Sequence, residues 1–438
     1  MNIVRRFWHL AFLDFRPSIS LGLFRIAVAV TVGAHMLPSF FHMADNYLST
    51  AFKTQNPAFF PAPILTLVAM SPDWVVWAFV ALFLLSWLAF AAGLAAQFSA
   101  ILLTLTCYYF YALNNYHIGT LSFDILLVTL ILLCITGFHG DFLSVDSLRT
   151  GNVRAYKRPR PYFLQRLLQL QLALTFWHTA LNKISAGGNW LTDSPYYYLM
   201  HYPPMGVVRN FPLRDFLAQH QGLCNFIGLG VVAMELALPF LWFIPRTRPA
   251  GIAIGVIFQL LLWATLHVPT IFLFLFPPMM LLFIRPETLV RWVEARQAVH
   301  AERGRAVLLY DGQCGFCISS VAKLRVLDLF GWVDPLDFHA QPELARIHPA
   351  LTPDRCRSEM VLLEPNGMLT GGFDAFARLA RSVPLLWGAA LLAGLPGVPW
   401  LGRKAYRWVA EHRGLFHRRE ACRTNQCAAT GAADAASN

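Results

Sequence analysis

The chain has 438 residues, of which 56% are hydrophobic and only 13% charged. Soluble domains carry about 25% charged residues, so a wholly soluble protein is excluded. The formal net charge of +11 invites nucleic acid as a partner. The basic residues lie in short loops between apolar runs and toward the C-terminus, however, where topology and anionic lipid account for them, so no nucleic-acid binding is expected.

The first residues, MNIVRRFWHLAFLDFRPS, hold no apolar stretch followed by a small-residue cleavage site, so no removable signal peptide is expected. Arg5-Arg6 reads as a membrane-flanking basic pair rather than a twin-arginine signal. A membrane helix needs about 20 mostly apolar residues. Eight candidates follow in order: 19–37, 74–96, 98–114, 121–138, 163–182, 222–244, 249–267 and 271–284. The last holds Pro277-Pro278 and is expected to kink, a break that neighbouring helices can satisfy. Cys107, Cys134 and Cys224 lie inside apolar runs and read as small core residues.

Charge tests the count. Arg5, Arg6 and Arg16 precede the first span, and Arg149, Arg154, Lys157, Arg158 and Arg160 separate the fourth from the fifth. Arg246 and Arg248 join the sixth to the seventh, while Arg285, Arg291 and Arg296 follow the eighth. Eight spans put all four clusters on one side, which the positive-inside rule makes cytoplasmic. The prediction is a polytopic α-helical bundle of about eight spans over residues 1–298, in the cell (inner) membrane, with both termini cytoplasmic. Stretches 38–73 and 183–221 are then external.

Ionisable residues inside a bilayer are costly and point to function. The densest group is FWHTALNKISAGGNWLTDSPYYYLMHY, with His178, Asn182 and Lys183 at the outer end of the fifth span. Spacings of four and five put His178 near the face of the other two. A snorkelling lysine beside an aromatic belt is the plainer reading. Arg25 is expected to snorkel to the cytoplasmic surface. Glu235 is mid-span, where an interhelical partner and a cavity-lining role are both open. Gln165, Gln169 and Gln171 are expected to hold helices together.

From Arg303 the pattern becomes that of a soluble domain. RAVLLYD reads as a strand, CGFCISSVAKLRVLDLFG as a helix, VDPLDFH as a second strand, and EMVLLEPNGMLTGG as a hairpin turning at Asn366-Gly367. Three helices follow in FDAFARLARS, LLWGAALLAG and GRKAYRWVAEHR. Residues 303–420 are thus a small α/β domain, and 421–438 a disordered tail.

Within it, YDGQCGFC sets a Cys-x-x-Cys pair at a strand-to-helix turn. Cys314 would sit at the helix start, where unpaired N–H groups and the macrodipole favour its thiolate. Cys317, one turn on, is placed to attack a mixed disulfide at Cys314, and Asp311 and Gly312 shape the turn. A structural zinc site completed by Cys422, Cys427 and His417 is the alternative.

The stretches YDGQCGFC, GGFDAFARL and LPGVPWLGRKAYRWVAEHR, with a late cysteine, resemble the DCC family of thiol-disulfide oxidoreductase-like proteins. The resemblance implies a thioredoxin-like fold, Cys314 as attacking thiol and Cys317 as resolving thiol. The strand starting at Met360 follows Ser358-Glu359, so the cis-proline wall of thioredoxins is missing.

NNYHIGTLSFDILL, DFLSVDSLR, FWHTALNKISAGGNWL, MELALPFLWF and WATLHVPTIFLFLFP resemble the membrane domain of vitamin K-dependent γ-carboxylase, called HTTM in bacterial proteins. The resemblance implies that Lys183 is the base that deprotonates a vitamin K-like hydroquinone, desolvation favouring the neutral amine. It also implies a supporting histidine after Asn114-Asn115; here Tyr116 intervenes and His117 comes one residue late. Lys183 is preceded by asparagine where animal members have a second lysine, and the large lumenal domain is absent. The expected function is a membrane-bound thiol-disulfide oxidoreductase with a quinone- or lipid-binding bundle. Its expected partners are membrane lipid, a thiol or disulfide-bearing protein or small molecule, and a quinone. A transporter or anchor with a redox-sensing tail, or a γ-carboxylase-like enzyme, are the alternatives.

Overall fold

A computed structural model describes residues 12–51, 61–114, 121–185, 190, 195–201, 211–267, 270–341 and 343–412. The chain divides into two compact units, Met1–Val293 and Glu294–Asn438.

The first unit is helical. Its principal helices are α1 (Ile19–Phe40), α2 (Asp73–Ala92), α3 (Ala96–Leu113), α4 (Leu121–Cys134), α5 (Phe163–Ser185), α6 (Gln221–Phe243), α7 (Arg248–Thr265), α8 (Thr270–Phe274) and α9 (Phe276–Leu281). Helix α2 shows how they pack: Val76, Val80, Phe83 and Phe90 are buried on one stripe, while Trp74, Trp77, Leu85 and Leu88 stay exposed. A soluble helix would be polar on that outer side, whereas lipid accepts it as it is. Two short strands, β1 (Phe15–Pro17) and β2 (Pro159–Pro161), pair antiparallel.

Among the described residues, α1, α2, α3, α6 and α7 are long and apolar enough to cross a bilayer. The expected fourth span is a helix of 14 residues, and the fifth, α5, is interrupted by Gln165, Arg166, Gln169, Gln171 and Lys183. The expected eighth is broken into α8 and α9, with Pro277-Pro278 in the first turn of α9, where a missing N–H costs nothing. Segment Phe272–Leu281 then bends by 87° into α10 (Pro286–Arg303).

Arg25 departs from expectation. Its side chain is fully buried and donates to the carbonyls of His139, at 2.9 Å, and Leu143. The turn after α4 folds over it and supplies the acceptors that snorkelling would have sought in water. Gln165 and Gln169 do join helices: both donate to the Leu282 carbonyl, at 2.5 and 2.8 Å.

The second unit is built on a four-stranded sheet of order β4-β3-β5-β6, from β3 (Ala306–Tyr310), β4 (Val333–Asp337), β5 (Val361–Leu363) and β6 (Leu369–Gly371). Strands β3 and β4 are parallel, and β3/β5 and β5/β6 antiparallel. Helix α11 (Gly315–Leu327) connects the parallel pair, and α12 (Gly372–Ser382), α13 (Trp387–Ala393) and α14 (Val398–Glu411) close the chain. Alternation along β3 buries both faces. Ala306 and Leu308 join Cys317, Val321 and Leu379 in one cluster, while Leu309 joins Phe338, Leu351 and Cys356 in the other. Helix α12 and the segment after it are apolar enough to suggest a bent span, but α12 carries Asp374, Arg378 and Arg381 and packs Ala375 and Leu379 on the sheet. It is a domain helix.

Candidate active site

Strand β3 delivers the cysteine turn. Its last residue, Tyr310, is opposite Asp337 at the end of the parallel neighbour β4, so the Asp337 carboxylate lies under the turn. It accepts from the backbone N–H groups of Gly312 and His339, each at 3.0 Å. That approach is why residue 312 is glycine: a Cβ there would overlap the carboxylate. The Asp311 carboxylate accepts from the Gln313 N–H, at 3.0 Å, and contacts His339 Nε2, also at 3.0 Å. Asp311 and Gly312 thus lie in the turn, with Asp337 and His339 as partners the sequence did not announce.

Cys314 caps α11 in extended conformation, with no side-chain hydrogen bond on the cap. Its carbonyl accepts from Ile318 N–H at 3.0 Å. The positive end of the helix macrodipole lies at this cysteine and favours its thiolate form. Cys314 is half-buried, whereas Cys317 is 3% exposed within the cluster around Val321 and Leu379. An outer thiol that meets substrate and an inner one that follows it is the division of labour exchange requires. Cys356, on the other face of the sheet, is buried, which pushes its thiol up.

Beside Cys317 opens an apolar cleft of about 440 Å³, lined by Phe316, Met360, Phe373, Phe376 and Tyr406 among others. Helix α14 reaches the strand here: Met360 N–H donates to Tyr406 Oη at 2.9 Å.

In the first unit, Lys183 Nζ donates to both carboxylate oxygens of Glu235, at 2.5 and 2.6 Å. The pair joins α5 to α6 and is largely buried, the side chains being 19% and 7% exposed. Nζ also lies 5.2 Å from the centre of the Trp190 ring. His178 bonds to Asn182 at 2.9 Å on an exposed face. The expectation that His178 shares a face with both residues thus holds for Asn182 only; five residues along a helix is a 140° rotation, which turns Lys183 to α6. Asn114 is buried and donates to the Asn46 carbonyl at 2.7 Å, a structural contact. Asn115, His117, His417, Cys422 and Cys427 lie outside the described residues.

Residues 15–288 match the HTTM domain. The chain belongs to the HTTM family. Residues 308–419 match the DCC1-like thiol-disulfide oxidoreductase, so an HTTM domain is followed by a DCC1-like domain. No curated protein and no solved structure matches. The HTTM domain and its apolar helices make this a multi-pass membrane protein, with a DCC1-like domain of oxidoreductase type.

The Lys183–Glu235 pair belongs to the HTTM domain, and the dithiol turn and its cleft to the DCC1-like domain. The turn was legible in its local motif. Tyr406 was not, although GRKAYRWV held a signal: Gly402, Tyr406 and Val409 are spaced four and three apart on one side of α14, and all three line the cleft.

Proposed function

We propose that the protein is a membrane-anchored thiol-disulfide oxidoreductase whose DCC1-like domain works through Cys314 and Cys317. The observation that carries this reading is the pairing of a half-buried Cys314 at a helix start with a buried Cys317 one turn on, beside an apolar cleft. The parallel β3/β4 pair, the antiparallel β5/β6 hairpin and the order β4-β3-β5-β6 support a thioredoxin-like fold.

The Cys314 thiolate attacks one sulfur of a substrate disulfide, forming a mixed disulfide and releasing the other sulfur as a thiolate. The Cys317 thiolate then attacks Cys314 Sγ, closing the intramolecular disulfide and releasing the second thiolate. Two electrons pass from dithiol to substrate, and a thiol of the surrounding compartment restores the pair. The substrate is a disulfide-bearing protein or small molecule with an apolar portion that fits the cleft.

The test is trapping. Cys317→Ser removes the resolving step and should accumulate mixed disulfides on Cys314, whereas Cys314→Ser should trap almost none. Equal loss of folding in both variants, with about one zinc per chain in the wild type, would sink the assignment.

Eight crossings, with α4, α5 and the broken α8/α9 segment added to the five long helices, would leave both termini and Cys314 in the cytoplasm of a cell-membrane protein. The four basic clusters support this. Membrane-impermeant maleimide should then label Cys314 only after permeabilisation; labelling in intact cells rejects eight crossings.

A second reading concerns the HTTM domain and rests on the Lys183–Glu235 pair. Glu235 is an acceptor for the lysine proton, and the amine so formed is the base for a quinone-like or vitamin K-like hydroquinone held in the bundle. A bound isoprenoid, sought by mass spectrometry of the extracted protein, separates this reading from a simple anchor.

A further inference from the structure

The surface of the C-terminal unit is uneven. Among its described residues, large apolar side chains are exposed at Ile318 and Met368, and all the others fall between residues 385 and 408. On α13, Trp387 and Leu391 are one turn apart and Leu395 continues the stripe beyond the helix; Leu391 is 76% exposed. On α14, Trp400, Leu401 and Trp408 are exposed on the side away from Gly402, Tyr406 and Val409. Charge on this outer side is mainly basic. Lys404 and Arg407 are exposed there, with Lys404 Nζ 4.0 Å from the centre of the Trp400 ring. Glu411 is the acidic residue of α14. Arg403 is already paired with Asp374.

We propose that the outer face of α13 and α14 docks the DCC1-like domain onto the anionic surface of a lipid bilayer. Tryptophan and leucine interleaved with lysine and arginine is the composition of helices that lie in the membrane interface. Indole rings occupy the headgroup level, and the ammonium and guanidinium groups meet lipid phosphate. Lipid fits better than a protein partner because the same chain carries a multi-pass HTTM domain, which keeps a bilayer at high effective concentration. Charge complementarity selects anionic lipid. Since α14 also forms a wall of the cleft beside Cys317, docking brings the dithiol to the boundary where apolar substrates partition.

The full chain, reconstituted in nanodiscs with or without phosphatidylglycerol in phosphatidylcholine, tests this. Photoreactive p-benzoylphenylalanine is introduced at Leu391 or Trp400, and at Met368 as the control. Irradiation should give lipid adducts at 391 and 400 but not at 368. The yield should fall several-fold in neutral discs and in the Lys404→Glu/Arg407→Glu variant, whose substitutions are exposed and leave the core intact. Adducts to a second copy of the chain, adducts to the HTTM domain, equal lipid yield at position 368, or no adduct at 391 and 400 would each overturn the proposal.

Discussion

The Lys183–Glu235 pair and the Cys314–Cys317 turn each set polar groups against apolar surroundings, but by opposite means. In the HTTM domain the charge is closed: ammonium and carboxylate saturate one another across two helices. In the DCC1-like domain the chemistry is left open. Backbone and carboxylate groups hold the turn, while the outer cysteine has no side-chain partner on its cap. A closed pair resists disturbance and is expensive to break. An open site is stabilised by surrounding hydrogen bonds, and each of these can be removed at modest cost.

That contrast predicts its largest effect at the pair. Glu235→Leu strands the lysine ammonium, and Lys183→Met strands the carboxylate; each should cost about 3 kcal/mol, the low end for a buried pair because Lys183 keeps some exposure. The double variant should recover most of the loss, since neither charge remains. Thermal denaturation of the detergent-extracted variants measures the cycle, and additive losses would show that the pair is not coupled. Lys183→Arg sharpens the point. It should keep the stability of the pair yet abolish any hydroquinone-dependent reaction, because guanidinium does not give up its proton in a protein.

The two sites were unequally legible in the sequence. Cys314, Cys317, Asp311 and Gly312 fall within seven residues, so one motif held them, and the strand and helix around it followed from periodicity. Lys183 stood out as a charge at the end of an apolar run, and Glu235 as one within another. Their pairing across 52 positions needed the packing of α5 on α6, which apolar patterns do not encode. The same is true of Asp337, which depends on strand register, and of Arg25, whose acceptors are backbone carbonyls that carry no sequence signature. Span number is a different case: α5 spends its polar residues on contacts between helices, and hydropathy cannot distinguish these from solvent exposure.

A smaller effect is expected at the wall of the open site. Tyr406→Phe leaves the buried Met360 N–H without its acceptor, which should cost about 1–2 kcal/mol. Because Tyr406 and Cys317 line the same cleft, alkylation of Cys317 should also accelerate in the variant. Unchanged alkylation with normal stability would mean that the Tyr406 hydroxyl does not hold the wall.

The smallest effect concerns Asp328, at the end of α11. It is 8% exposed, and its two carboxylate oxygens accept from the N–H groups of Trp332 and Val333, each at 2.9 Å. Burial raises its pKa, and this outweighs the opposing hydrogen bonds from Trp332, Val333 and Gly331 and the charge of Arg305. The sign follows. In the unfolded chain an aspartate titrates near 3.9, and in the folded domain it titrates higher, so folding takes up a proton between those two values. The contribution of Asp328 is fully present below the unfolded value and is lost as pH rises through the folded one. Asp328→Asn cannot titrate, and its single carbonyl oxygen serves one N–H group where the carboxylate served two. The variant should be less stable by about 1 kcal/mol at neutral pH and should show a flatter dependence over this acidic window. Amide exchange of Ala306–Tyr310, corrected for the intrinsic effect of pH on exchange, reads the opening free energy of the sheet. If the pH dependence of that free energy is the same in Asp328→Asn as in the wild type, the carboxylate titrates alike in both states and burial at the end of α11 has no energetic consequence.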